Sequence, residues 1–151
     1  MALWIHGGGY REGWGSEPDF DCQEWSNKDI VLVSINYRLG VFGFLTHPEL
    51  SAESPQHVSG NYGILDQIES LKWIRKNIAQ FGGDPENITI AGQSAGAWYA
   101  VLMMGNPKLK GIYRRAGLFS FNGGTAPYLK AEAEKMTEKL LAKLNLASDE
   151  D

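Results

Sequence analysis

The stretch Gly92-Gln93-Ser94-Ala95-Gly96 constrains this chain more than any other. It follows Ile88-Thr89-Ile90-Ala91, an apolar, β-branched run that predicts a buried strand. It precedes the segment from Ala97 to Met104, which has no helix breaker before Gly105 and predicts a helix. A strand, a G-x-S-x-G and a helix in that order force the chain to reverse within a few residues. The serine is then held in a strained backbone conformation that keeps its Oγ clear of the sheet. Gly92 and Gly96 lack a Cβ, so strand and helix can approach closely on either side of the turn. The start of the helix adds partial positive charge and free N–H groups beside the serine. The alternative is a glycine-rich strand-to-helix turn carrying an idle serine.

Other features narrow what such a turn can serve. A chain of 151 residues is long enough to bury a core. A formal net charge of −4 argues against a nucleic-acid surface or a polybasic membrane patch. Cys22 is the only cysteine, which excludes an intrachain disulfide and any cysteine-based metal site, and is compatible with a reducing compartment. With no activating neighbour, it reads as a small buried residue. No apolar run approaches the ~20 residues of a membrane span. Met1 leads directly into Ala2-Leu3-Trp4-Ile5, without the basic and apolar regions of a signal peptide. This start inside a core-like strand, and the end at Ser148-Asp149-Glu150-Asp151, create the expectation of a piece of a longer domain.

A second glycine cluster lies far upstream of the first. Residues 2–5 read as a buried strand, and His6-Gly7-Gly8-Gly9-Tyr10 follows it. Three consecutive glycines carry a high entropic cost on ordering, so packing alone is a poor reason for them. They let bare backbone N–H groups converge on one point, as an oxyanion hole requires, although a flexible turn is the alternative. His6 reads as an anchor of this loop through side-chain hydrogen bonds rather than as a base. Between the two clusters, residues 11–28 read as mostly polar loop. A short helix is expected over 20–25, with Asp19 as its N-cap. Residues 30–37 are apolar nearly throughout and predict a parallel strand covered on both faces. A long loop with Pro48, Pro55 and Gly60 follows.

Residues 61–80 predict a long helix, with Ile64, Leu65, Ile68, Leu71, Trp73, Ile74 and Ile78 as one apolar stripe ended by Gly82-Gly83. Residues 114–121 predict another strand, with Asn122-Gly123-Gly124 as its exit turn. Residues 131–144 predict a helix whose apolar side is Met136, Leu140, Leu141 and Leu144. Strands separated by helices imply right-handed crossovers, hence an α/β fold with a parallel sheet of about four strands and helices on both faces. Both glycine clusters then lie at the carboxyl edge of that sheet, where ligands bind. One supplies a nucleophile and the other supplies oxyanion donors.

At this point the chain resembles the type-B carboxylesterase family, the group that includes the cholinesterases, within the α/β-hydrolase fold. The segments that carry the resemblance are Trp4-Ile5-His6-Gly7-Gly8-Gly9, Ser34-Ile35-Asn36-Tyr37-Arg38-Leu39-Gly40, Phe42-Gly43-Phe44-Leu45, Gly60-Asn61-Tyr62-Gly63-Ile64-Leu65-Asp66-Gln67, Phe81-Gly82-Gly83-Asp84-Pro85 and the serine pentapeptide. They occur in family order and cover most of residues 3 to 121. The resemblance implies ester hydrolysis through an acyl-serine intermediate, without a cofactor, on a small-molecule ester. Ser94 matches the nucleophile. Gly8 and Gly9 match the oxyanion glycines, and the N–H of Ala95 is the third donor. His6, Gly7 and Gln93 support the site. The family usually has Glu where this chain has Gln93, so a negative charge beside the nucleophile is missing. Arg38 and Asp66 match a charged pair that ties a strand end to the long helix, and a partly buried structural salt bridge is expected between them.

The rest of a triad is not recognisable. A serine hydroxyl is a poor nucleophile without a base. The family places acid and histidine downstream of the serine, but this chain has no histidine after His57. His47 and His57 match no catalytic position. The chain is therefore expected to be one partial domain, weakly active or inactive alone. Its open sheet edges invite oligomerisation or a complementing chain. Two other readings stay open: a non-catalytic protein-binding module, since some members of the family have lost the serine, and lactone or amide hydrolysis on the same site.

Overall fold

The computed structural model describes residues 1–18, 22–123 and 127–146. Four parallel strands form one sheet: β1 (Ala2–Ile5), β2 (Leu32–Ser34), β3 (Thr89–Gln93) and β4 (Arg115–Phe119), in the spatial order β2-β1-β3-β4. β1 is wholly buried and lies between β2 and β3. Its Leu3 and Ile5 have no exposed surface and meet Ile90 and Tyr99 in the core. A short strand with such burial is what a near-continuous apolar run specifies in a parallel sheet.

Among the described residues six α-helices accompany the sheet: α1 (Cys22–Ser26), α2 (Gly40–Phe44), α3 (Pro48–Glu53), α4 (Tyr62–Asn77), α5 (Ala95–Met104) and α6 (Lys130–Lys143). α4 presents Leu71 and Ile74 to the core and continues into a 3-10 turn over Ile78–Phe81. Gly82 closes that turn at φ 78°, while the amide of Gly83 donates to the carbonyl of Ile78 at 3.0 Å. A left-handed residue there satisfies carbonyls that the helix leaves free, and only glycine adopts it without strain. α5 buries Ala95, Gly96, Ala97 and Ala100, small side chains that let it lie close on the strands.

Several expectations need correction. The strand expected over 30–37 is formed only at Leu32–Ser34, extended by the Val31 carbonyl accepting from the Ala2 amide at 2.9 Å, and the three strand residues are half-buried at the sheet edge. The long loop that follows it contains two short helices. Pro48 opens α3, and His47 caps it by accepting from the Glu49 amide at 3.3 Å. Proline at the first helical position starts a helix instead of breaking one. The strand expected over 114–121 runs from Arg115 to Phe119, and Ser120 turns away at φ 54°. Leu65 and Trp73, expected in the apolar stripe of the long helix, are both about half-exposed. On α6, Met136 and Leu144 face outward. The helix buries Thr137 and half-buries Leu140 and Leu141. The helix read over 20–25 starts at Cys22 among the described residues. Asp19, Phe20, Asp21, the Cys22 side chain and Gly124 lie outside them.

Leu71 tests how far this small core is close-packed. Leu71→Ala removes a side chain with no exposed surface and is expected to cost about 2–5 kcal/mol of unfolding free energy in urea titrations.

Candidate active site

The site arises from the pairing of two neighbouring strands. In the β1–β3 register, Ile5 stands opposite Gly92. Parallel strands run in the same direction, so the chain that leaves β1 as His6-Gly7-Gly8-Gly9 emerges beside the chain that leaves β3 as Gln93-Ser94. Contact is close enough to exclude a methyl group. A Cβ on Gly7 would stand 2.5 Å from Oε1 and 2.9 Å from the carbonyl oxygen of Gln93, and 3.2 Å from Cβ of Ser94. A Cβ on Gly96 would stand 2.0 Å from the carbonyl oxygen of Ile5, and one on Gly92 2.4 Å from the backbone of Gly96. The glycines at both ends of the pentapeptide thus serve backbone approach.

Ser94 has φ 53° and ψ −118°, a conformation that costs a side-chain-bearing residue about 1–3 kcal/mol. Two backbone hydrogen bonds hold it there. Its amide donates to the carbonyl of Phe119 at 3.0 Å, and its carbonyl accepts from the amide of Trp98 at 3.1 Å. The residue is exposed between half-buried Gln93 and buried Ala95. Its Oγ makes no hydrogen bond among the described residues. Ala95 is the first residue of α5, where helix N–H groups have no intrahelical acceptor.

The glycine loop turns through three consecutive left-handed residues: Gly8 at φ 98°, Gly9 at φ 59° and Tyr10 at φ 69°. The carbonyl of Gly8 accepts from the amides of Arg11 and Glu12, at 3.1 and 3.2 Å, so it faces away from solvent into the turn. The amides of Gly8 and Gly9 are given no acceptor among the described residues. A Cβ on Gly8 would stand 2.0 Å from the carbonyl oxygen of Glu12. His6 is buried, and its Nδ1 donates to the carbonyl of Gly7 at 2.9 Å. Tyr37 stacks on the His6 ring at 4.4 Å and its hydroxyl donates to the His6 carbonyl at 2.8 Å. Burial pushes the Tyr37 and Tyr99 hydroxyls far above the usual tyrosine range, so both stay neutral.

An alcohol oxygen beside free backbone amides is half of an acyl-transfer apparatus. The other half, a base, is not at hand. His6 is turned into the core. His47 caps α3, and His57 sits in a turn at φ 54° with its amide on the carbonyl of Ser54. Among the described residues no group of three or more metal-ligating side chains converges. The aromatic ring cluster behind the glycine loop, formed by Tyr10, Tyr37, Phe44 and Tyr99, is absent from the sequence reading of the site. Its members are far apart in sequence and share no spacing pattern that could have revealed it.

The model of the carboxylesterase family matches residues 1–150. The chain belongs to the carboxylesterase family. A fumonisin B1 esterase of Sphingopyxis macrogoltabida is 45% identical over 120 residues, which is 80% of this chain and 22% of that protein. Neuroligin-2 of Mus musculus is 39% identical over 144 residues, 95% of this chain and 16% of the relative. The crystal structure of a Geobacillus stearothermophilus carboxylesterase superposes with a TM-score of 0.87 at 43% identity, covering 98% of this chain and 32% of that one. The fold is therefore that of the α/β-hydrolase esterases, and the chain spans between a sixth and a third of these relatives' lengths.

In this carboxylesterase chain Arg38 and Asp66 form a fork. Nη2 of Arg38 meets Oδ1 at 2.6 Å, Nε meets Oδ2 at 2.8 Å, and the Arg38 amide also donates to Oδ2 at 3.0 Å. The guanidinium lies 5.1 Å from the centre of the Tyr62 ring. The Arg38 side chain is half-exposed, more open than the partly buried pair the sequence suggested. Hydrogen bonding to Arg38 holds the Asp66 carboxyl below the usual carboxylate range, against the opposing effect of its partial burial. A group whose folded-state pKa is depressed adds stability above its unfolded pKa and loses it as pH falls through the folded value. Wild type is expected to exceed Asp66→Asn in urea midpoint at neutral pH. The gap should close as pH drops through and below the carboxylate range, which denaturation at a series of pH values will show.

Proposed function

We propose that this chain is the nucleophile-bearing part of a serine carboxylesterase domain, whose general base and acid come from sequence outside it. The observation that carries the reading is the exposed, strained Ser94 packed against Gly7 of a loop whose next two amides are free. Oγ of Ser94 attacks the ester carbonyl carbon as a base takes its proton. The carbonyl electron pair moves onto oxygen and is held by the amides of Gly8, Gly9 and Ala95. Collapse of the tetrahedral intermediate breaks the bond to the alcohol, which leaves with a proton. Water then attacks the acyl-serine and releases the carboxylic acid. His6 and Gly7 shape the loop. Gln93 places a neutral amide, not a charge, before the nucleophile.

The same reading bears on partners. β4 is an open edge with Leu118 38% and Phe119 50% exposed, and β2 is the other edge. Apolar edges of this kind seek a strand. The occupant that fits best is the remainder of the hydrolase domain, in line with the small share of each relative that this chain spans. Self-association of the isolated chain is the alternative. The substrate is a small-molecule ester.

A second reading, a protein-binding module, has one observation in its favour: Neuroligin-2 is among the relatives. Retention of Ser94 and of the free loop amides counts against it, because binding requires neither.

The decisive experiment labels the chain with a fluorophosphonate probe in the presence of added imidazole as a substitute base, and follows p-nitrophenyl acetate hydrolysis in parallel. Labelling at Ser94 and slow hydrolysis reduced in Ser94→Ala are expected. The rate that Ser94→Ala retains should be at most roughly 10³–10⁴-fold over water, the level an oxyanion hole and binding sustain without the nucleophile. Hydrolysis unchanged in Ser94→Ala, with no labelling of Ser94, rejects the esterase reading.

A further inference from the structure

Tyr99 stands on the helix that Ser94 opens, yet it contacts one end of the other glycine loop directly and the other end through Tyr37. Its ring meets Tyr10 edge-on at 5.3 Å between centres, and Tyr10 ends the loop. It meets Tyr37 edge-on at 5.4 Å, and Tyr37 holds His6, where the loop begins, by a stack and a hydrogen bond. Phe44 of α2 closes the group, lying nearly parallel to Tyr99 at 6.1 Å and edge-on to Tyr10 at 6.0 Å. Tyr99 is 3% exposed, and its hydroxyl has no hydrogen-bond partner among the described residues. A buried hydroxyl left unpaired costs stability, so the ring is what the position uses. Edge-to-face and offset contacts of this kind fix ring positions relative to one another.

We propose that Tyr99 is a positioning residue, the shared anchor that ties the nucleophile helix to both ends of the oxyanion loop and so sets where the amides of Gly8 and Gly9 stand relative to Ser94. The inference rests on the esterase reading for its catalytic meaning, but the mechanical claim is independent of it. The strand register brings loop and serine side by side at one point, Gly7. Beyond Gly7 the loop has three left-handed residues and few bonds of its own. The carbonyl of Gly8 takes the Arg11 and Glu12 amides, and the carbonyl of Tyr10 takes the Gly40 amide at 2.7 Å. The curvature of that stretch depends on what Tyr10 leans on, and Tyr10 leans on Tyr99 and Phe44.

The amides of Arg11, Glu12 and Gly40 report the loop directly, because loop carbonyls are their acceptors. Their hydrogen exchange is measured under native conditions in this chain for wild type, Tyr99→Leu, Tyr99→Phe, Tyr10→Leu and Leu109→Ala. Leu109 is a buried core residue between α5 and β4, and its truncation is the control for general destabilisation. Tyr99→Leu is expected to speed exchange at the three amides on the order of tenfold beyond Leu109→Ala. Tyr99→Phe restores wild-type exchange, since it keeps the ring. Tyr10→Leu, at a half-buried position that spares the core, reproduces the loss at Gly40 and decides the matter if Tyr99→Leu does not fold. Fluorophosphonate labelling of Ser94 with imidazole follows the same order, slowed in Tyr99→Leu and kept in Tyr99→Phe.

Exchange at these amides no faster in Tyr99→Leu than in Leu109→Ala overturns the proposal. So does Tyr99→Phe behaving like Tyr99→Leu, or Gly40 exchange unchanged in Tyr10→Leu. Absence of labelling in wild type counts against the esterase reading alone, because the exchange comparison still decides the anchor.

Discussion

The pairing of β1 with β3 is the constraint on which the rest depends. Two parallel strands in register deliver two turns to one place and so bring residues 7 and 94 together across a long interval. Every residue of β1 is buried, so the register is set by the different shapes of its two faces. Leu3 and Ile5 alternate with Ala2 and Trp4, and a slip of one residue would exchange the two faces of β1. It would also move Ile5 away from Gly92 and push the carbonyl of Ile5 out of the gap at Gly96. Core packing and site geometry are therefore specified by the same few side chains.

This explains which parts could be read in advance. The elbow, the glycine loop and the existence of all four strands follow from local patterns: β-branched runs, a breaker-free helix, and glycines that only a close approach justifies. Strand lengths and edges do not. Residues 30–37 look like a central strand because they are apolar nearly throughout, yet among the described residues β2 has one partner and ends after Ser34. Whether a run is central or peripheral depends on what pairs with it, which is a property of the whole sheet. The short helices α2 and α3 escaped because a five- or six-residue helix leaves no periodicity to count. The signal that was present, Pro48 after the capping His47, reads equally well as a turn.

The aromatic cluster shows a deeper limit. Tyr10, Tyr37, Phe44 and Tyr99 come from a loop, the segment after β2, α2 and α5. Each alone is an unremarkable apolar residue, and only their convergence gives them meaning. The same holds for His6. Its role is legible as far as its place at the strand end, but its orientation is set by the Tyr37 ring and by Gly13, where a Cβ would stand 2.5 Å from its Nδ1. Residues that act by holding others leave little trace in a single sequence, whereas residues that need a particular backbone do. Gly8, Gly9 and Gly96 belong to the second kind.

The chemistry divides along the same line. Nucleophile and oxyanion donors are products of backbone geometry, so one stretch of sheet can assemble both. A base and its acid are side chains delivered by other loops, and their position depends on a larger framework. The bond between the Ser94 amide and the Phe119 carbonyl links these two halves of the argument. It restrains a strained residue by means of an edge strand, and among the described residues β4 has a partner on one side only. A strand added to the free side of β4 would stiffen it, and through Phe119 would stiffen the elbow as well. Under the esterase reading, a strand on the free side of β4 would thus steady the serine that is already there.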